Sequence, residues 1–172
     1  MKLTRRTALL LPTLPAWAGP SWAAGPTEPA SKLWAASFQT PEGKTLKLSE
    51  LKGRWWLLNF WATWCAPCIK EMPDFDRFHQ DELARGAQGW PVVGLAIDAP
   101  TPVRDFLKRR PVRYPIGLAG LNGTELMRSL GNLKGGLPFT VVVDPQGAIA
   151  WRRPGETHLA QLRELRGKLA VS

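Results

Sequence analysis

The stretch that most constrains this chain runs Trp55-Trp56-Leu57-Leu58-Asn59-Phe60-Trp61-Ala62-Thr63-Trp64-Cys65-Ala66-Pro67-Cys68-Ile69-Lys70-Glu71-Met72-Pro73. It opens on an apolar run too short to span a membrane and of the right length for a buried strand. A sharp turn then presents two cysteines, and a helix-forming segment follows. These are the only two cysteines in the chain, and Ala66-Pro67 separates them. Delivering a Cys-x-x-Cys to the start of a helix has a chemical purpose. The unpaired N–H groups and partial positive charge of a helix N-terminus stabilise a thiolate. The thiolate is the species that attacks disulfides. Cys65 lies nearer the positive end and is the expected exposed nucleophile. Cys68, one helical turn on, is the expected resolving thiol, partly buried.

Two plainer uses of the pair are weaker. Zinc takes four ligands at suitable spacing, and the only histidines, His79 and His158, lie far from the cysteines in sequence. A structural disulfide closing so small a loop adds little loop-closure entropy.

The rest of the chain alternates strand and helix patterns. A short strand is expected over 33–38, a turn at Thr40-Pro41-Glu42-Gly43 and a second strand over 45–48. The first core strand is 55–61. A helix over 65–84 carries Pro67 in its first turn, where the missing N–H costs nothing, and Pro73 in its interior, where it removes a backbone bond. Met72, Phe75, Phe78 and Leu83 repeat at near-helical spacing and are expected in the core. A buried strand spans 90–97. Thr101 is the expected N-cap of a helix to 110, with Pro102 at its first position. A short strand over 114–118 and a helix over 123–130, closed by Gly131, follow. A strand begins at Leu137-Pro138 and ends at Asp144, whose Asp144-Pro145-Gln146-Gly147 is a turn signature. Residues 148–152 return as its hairpin partner. The last helix, 157–169, is expected to bury Leu159, Leu162, Leu165 and Leu169. Together these give an α/β sandwich.

The N-terminus is separate. Lys2, Arg5 and Arg6 precede Ala8-Leu9-Leu10-Leu11, and Ser21-Trp22-Ala23 offers small residues for cleavage. That is the layout of a secretory signal peptide over 1–24. Thr4-Arg5-Arg6-Thr7 also resembles a twin-arginine signal, with Ala8 where an aromatic often stands. Residues 25–32, rich in Pro and small side chains, read as a flexible spacer, and 33–172 as one domain. Export to a periplasm is expected, with an uncleaved leader serving as a membrane anchor as the minor alternative. The leader supplies three positive charges of a formal +9, leaving +6 for the remainder. That balance permits acidic partners or an anionic membrane surface. With no basic stripe interleaved with aromatics, nucleic acid is not an expected partner.

Phe60-Trp61-Ala62-Thr63-Trp64-Cys65-Ala66-Pro67-Cys68, with Glu71 and Pro73 behind it, resembles the active site of the thioredoxin superfamily. More narrowly, it is similar to the TlpA/ResA group of exported or membrane-anchored disulfide reductases, from about Phe38 to the C-terminus. The resemblance implies a thioredoxin-like three-layer sandwich, a central mixed β-sheet flanked by helices, with residues 33–48 as an N-terminal β-hairpin extension. It implies that Pro138 is a cis-proline facing the cysteines, exposing the Leu137 backbone to a substrate strand. Plain thioredoxins carry a buried Asp where this chain has Asn59, which does not titrate. In ResA-like proteins a glutamate at the position of Glu71 sits near the active site. Glu71 is three residues past Cys68, on the same helix face. The expectation is that it is partly desolvated, raised in pKa and exchanges the proton of Cys68. Trp64, Ala66 and Pro67 are expected to face substrate, and Trp61 to pack in the core. Asp98 and Asp144 are expected to cap turns.

Ala66-Pro67 brings no charge to stabilise the reduced thiolate. The dipeptide is therefore closer to a reducing thioredoxin, near about −270 mV, than to DsbA, near about −120 mV. The resemblance implies a client protein with a disulfide, as in cytochrome c maturation or copper-centre assembly. It also implies a membrane thiol–disulfide transporter as electron donor. A monomer is expected, with no cofactor beyond the redox-active disulfide and no metal. The alternative from another class is a copper-handling protein using the same two thiols as soft ligands. The lack of a nearby His or Met-rich motif counts against it. A thiol peroxidase is a weaker reading, since Cys65 lies in a Cys-x-x-Cys.

Overall fold

The structure is a computed structural model that describes residues 30–170. The expected leader over 1–24 and most of the spacer lie outside those residues. Helix α1, Ala30–Ala35, takes the end of the expected spacer and the start of the expected first strand. Leu33 is buried and its neighbour Trp34 packs on the same cluster. Consecutive strand residues face opposite ways, so two inward neighbours suit a helix.

The strand expected over 33–38 is reduced to β1, Ser37–Gln39, which pairs antiparallel with β2, Thr45–Lys47. Gly43 turns the chain between them at φ 83°, a conformation open to glycine. This is the N-terminal hairpin, and it joins the main sheet through Gln39 opposite Leu118.

The core strands are β3, Trp56–Trp61, and β4, Val92–Ala96. They are followed by β5, Ile116–Leu118, β6, Phe139–Val143, and β7, Ile149–Pro154. The sheet runs β2-β1-β5-β4-β3-β6-β7. β3, β4 and β5 are parallel, and the other pairings are antiparallel, so the sheet is mixed. Helix α2, Ala66–Leu83, links β3 to β4. Helix α3, Pro100–Arg109, links β4 to β5. Helix α4, Asn122–Ser129, precedes β6, and α5, Leu159–Leu169, closes the chain.

Strand alternation divides the interior. Leu57 and Trp61 of β3 meet Phe75, Phe78, Phe106 and Leu162 of α2, α3 and α5. Trp56, Leu58 and Phe60 meet Leu33, Met127 and Leu130 on the other face. The same alternation puts Asn59 on the α2 face.

Three expectations are corrected. Leu83 is 55% exposed. Phe75, Phe78 and Glu82 occupy the inward stripe, three and seven residues apart, and Leu83 is one step round from it. Glu82 holds the inward place because it accepts from Arg166 Nε at 2.8 Å, Arg85 Nε at 3.0 Å and the Trp90 N–H at 3.1 Å. Helix α3 begins at Pro100 with Ala99 as its N-cap and no side-chain cap bond, so Thr101 is not the cap. In α5 only Leu162 is fully buried, while Leu159, Leu165 and Leu169 pack partly buried against the cluster.

Because β3, β4 and β5 are parallel, their C-terminal ends share one end of the sheet. The start of β6 and the end of β7 lie there too, since Phe139 is opposite both Phe60 and Pro154. That end carries the cysteines.

Candidate active site

Cys65 is the N-cap of α2, in extended conformation, with Ala66 and Pro67 in the first helical turn. Its sulfur is bonded to Cys68 as a disulfide and accepts the Cys68 N–H at 3.3 Å. The strand therefore ends where the chain must turn, and a free N–H of the first helical turn, that of Cys68, points at the sulfur. Both sulfurs sit in the cluster with Trp61, Ala62 and Met72. Cys65 keeps 5% of its surface and Cys68 none. Cys65 is thus the more accessible of the two but almost covered, not the exposed residue expected, since it is part of the buried cluster with Trp61, Ala62 and Met72.

The surface beside the disulfide is apolar. Trp64 is 69% exposed, Ala66 is exposed, and Pro67 and Leu137 are half-buried. Trp61 is fully buried, with its ring 5.5 Å from that of Phe106. The Leu137–Pro138 peptide bond is cis, and the Pro138 carbonyl accepts the Gly155 N–H at 2.8 Å. That bond ties the entry of β6 to the exit of β7.

Glu71 is completely buried. Its Oε1 accepts from Asn59 Nδ2 at 2.8 Å and its Oε2 from the Thr157 N–H at 2.8 Å. Asn59 Nδ2 also donates to Thr140 Oγ1 at 3.1 Å. Burial pushes the Glu71 carboxyl up to about 7, against the pull of those two hydrogen bonds, and the charges of Glu156 and Asp74 add to the rise. Asn59 and Glu71 are therefore directly paired, a contact the sequence reading did not foresee. The non-titrating amide of the strand holds a titrating carboxyl of the helix, one turn from Cys68.

The sequence reading missed the reach of Asp98. It does cap its own turn, accepting the Ala99 N–H at 2.7 Å. Its other oxygen accepts the Thr63 N–H at 3.2 Å and the Thr63 hydroxyl. It so pins the loop that carries Trp64 and Cys65 to the end of β4. The available signal was that two parallel neighbouring strands end side by side. Asp144 does what was expected, accepting from the Gln146 and Ala148 N–H groups at 2.9 and 2.8 Å.

Around the entry to α5, Lys70 Nζ meets Glu156 at 2.9 Å, and His158 lies 3.4 Å from both Asp74 and Glu156. His79 is buried on α2 and its Nδ1 accepts the Val92 N–H at 3.0 Å. Among the described residues, no group of three or more His, Cys, Asp or Glu is placed to hold a metal ion.

A family model described as AhpC/TSA family matches residues 29–152. The thiol-disulfide oxidoreductase ResA of Bacillus thuringiensis subsp. konkukian is 30% identical over 129 residues, 74% of this chain and 70% of that protein. The solved thioredoxin-related protein from Neisseria meningitidis serogroup B is 33% identical, with a TM-score of 0.66 over 76% of this chain and 96% of that one. StoA from Bacillus subtilis is 27% identical, with a TM-score of 0.61 over 75% of this chain and 93% of that one.

Proposed function

Because the chain belongs to the AhpC/TSA family and is a thiol–disulfide oxidoreductase related to ResA, we propose that it works as a reductase of client disulfides outside the cytoplasm. In the reduced protein the Cys65 thiolate attacks one sulfur of the client disulfide. A Cys65–client disulfide forms and the client's other sulfur leaves as a thiolate, to be protonated by water. Cys68 then passes its proton to the Glu71 carboxylate, and the Cys68 thiolate attacks the Cys65 sulfur. The client's second thiolate leaves, and the Cys65–Cys68 disulfide seen in the structure is formed. Two electrons have moved from the protein's thiols to the client. A reductant restores the dithiol, and the Glu71 proton returns to Cys68.

The observation that carries this reading is a disulfide seated at a helix N-cap, with a buried Glu71 one turn behind it. Leu137, beside the cis bond at Pro138, packs against the cluster that holds the cysteines, and in this reading its backbone pairs with a client strand. The reducing direction is supported by the uncharged Ala66-Pro67. A location in a periplasm rests on the leader, and in an oxidising compartment the dithiol must be recharged. A membrane thiol–disulfide transporter is the donor this implies. The clients in this reading are apocytochrome c or copper-centre assembly proteins.

The mechanism is tested by trapping. Cys68→Ala, incubated with a disulfide-bearing protein, is expected to accumulate a mixed disulfide through Cys65 on a non-reducing gel. Cys65→Ala is expected to accumulate none. Adducts through Cys68 instead would contradict the assignment.

A further inference from the structure

Three of the four large hydrophobic side chains that the described residues leave exposed, Trp64, Leu121 and Leu133, lie on loops at the disulfide end of the sheet. Leu133 is 81% exposed and stands on the rim of a groove of about 460 Å³. Leu133, Lys134, Phe139, Arg152 and Pro154 line it. An exposed leucine beside an apolar groove is surface that a ligand would cover.

The loop presenting Leu133 is held in place. Asn132 is buried, donates from Nδ2 to the Gly136 carbonyl at 2.7 Å and accepts the Gly135 N–H at 3.1 Å. One side chain therefore staples both ends of the segment that carries Leu133 and Lys134.

The cations of the groove are also placed. The Arg152 guanidinium lies against Gly131, where a Cβ would come within 2.3 Å of its Nη1. Gly131, at φ 102°, provides both the turn and that space. Among the described residues neither Arg152 nor Lys134 makes an ion pair or a side-chain hydrogen bond, and no acidic residue lines the groove. Arg77, Arg85, Arg163 and Arg166, by contrast, each hold a carboxylate. A guanidinium seated on backbone with no counter-ion suits a carboxylate from outside.

Leu137 joins the groove to the disulfide. It packs against the cluster holding Cys65 and Cys68 and against the one holding Phe139 and Leu130. Phe139, which lines the groove, belongs to the second of these clusters.

We propose that this groove is a specificity site of the reductase, taking a client segment in which an apolar residue and a carboxylate flank the reacting cysteine. The apolar side chain lies among Leu133, Phe139 and Pro154, and the carboxylate meets Arg152 and Lys134. The inference rests on the reductase reading for its choice of occupant.

The test uses the oxidised protein and two peptides identical except for a Leu-Glu or a Leu-Lys flank, with their cysteines replaced by serine so that binding is read without chemistry. The Leu-Glu peptide is expected to bind at least about tenfold more tightly, and K134E/R152E to reverse the order. Leu133→Ser, a surface change, is expected to weaken both peptides. The cysteine-containing versions should show the same order in kcat/KM, with reduction of a small-molecule disulfide unchanged in the variants. Equal binding of the two peptides, or an order unaltered in K134E/R152E, would overturn the proposal. An intact binding preference without reduction of any disulfide would uphold the groove and sink the reductase reading.

Discussion

At the scale of the residue, the proposed proton transfer turns on Glu71, whose carboxyl is buried one helical turn from Cys68. Its value of about 7 lies above the ordinary 4.5. The folded protein therefore holds a proton that the unfolded chain has released between those values. The contribution of Glu71 to stability is fully present below about pH 4.5 and is lost as pH rises through about 7, on the order of 3 kcal/mol in all. Glu71→Gln is expected to flatten that fall, read as urea midpoints at pH 5 and pH 8. The Asn59 amide can turn to accept from the new amide, so the variant should fold. In catalysis the sign is opposite, because accepting the Cys68 proton needs the carboxylate. Resolution of a trapped mixed disulfide is expected to speed up as pH rises through about 7 in the native protein. In Glu71→Gln it should be slower at pH 8 and lose that inflection; an unchanged profile would remove Glu71 from proton transfer. The place of Glu71 beside Cys68 was legible from one helical turn of spacing, but its bond to Asn59 across the strand–helix interface was not. Thr140 and Thr157, which complete the network, are too distant in sequence for any local period to reveal.

At the scale of elements, what was readable depended on whether one period decided the outcome. The inward stripe of α2 was, except at its end, where the buried ion pairs of Glu82 displaced Leu83. Leu83→Ser is accordingly expected to change stability by less than about 0.5 kcal/mol, and Phe78→Ala to destabilise by about 3–5 kcal/mol, both from denaturant melts. The first helix was misread because six residues give too few turns to separate a 3.6 period from a period of 2. The loop between β3 and α2 depends on β4. Asp98→Ala leaves the Thr63 N–H and hydroxyl without their acceptor, at about 1–3 kcal/mol. It is expected to lower the melting temperature and slow the attack of Cys65 several-fold. Asp98→Asn, which keeps one acceptor oxygen, should recover part of both. A rate equal to that of the native protein in Asp98→Ala would show that the clamp does not position Cys65.

For the molecule as a whole, the sheet order explains why the site is where it is. Three parallel strands end together, and the antiparallel β6 and β7 return the cis-proline and the Thr157 strap to the same end. The alternation of strand and helix patterns foretold the α/β class, and the resemblance around Cys65 implied the mixed sheet flanked by helices. The position of β7 at one edge and the hairpin at the other arises from long-range pairing, which composition and period do not encode. The groove beside Leu137 was invisible for the same reason, since Gly131, Leu133 and Arg152 are brought together by the fold.

The central claim, that this protein reduces, is tested most directly by equilibrating it with dithiothreitol or glutathione buffers and measuring the Cys65–Cys68 potential. A single two-electron transition near or below about −270 mV is expected. A value toward about −120 mV would contradict the claim and make the protein an oxidant or isomerase. The absence of any two-electron transition would transfer the two thiols to the copper-handling reading.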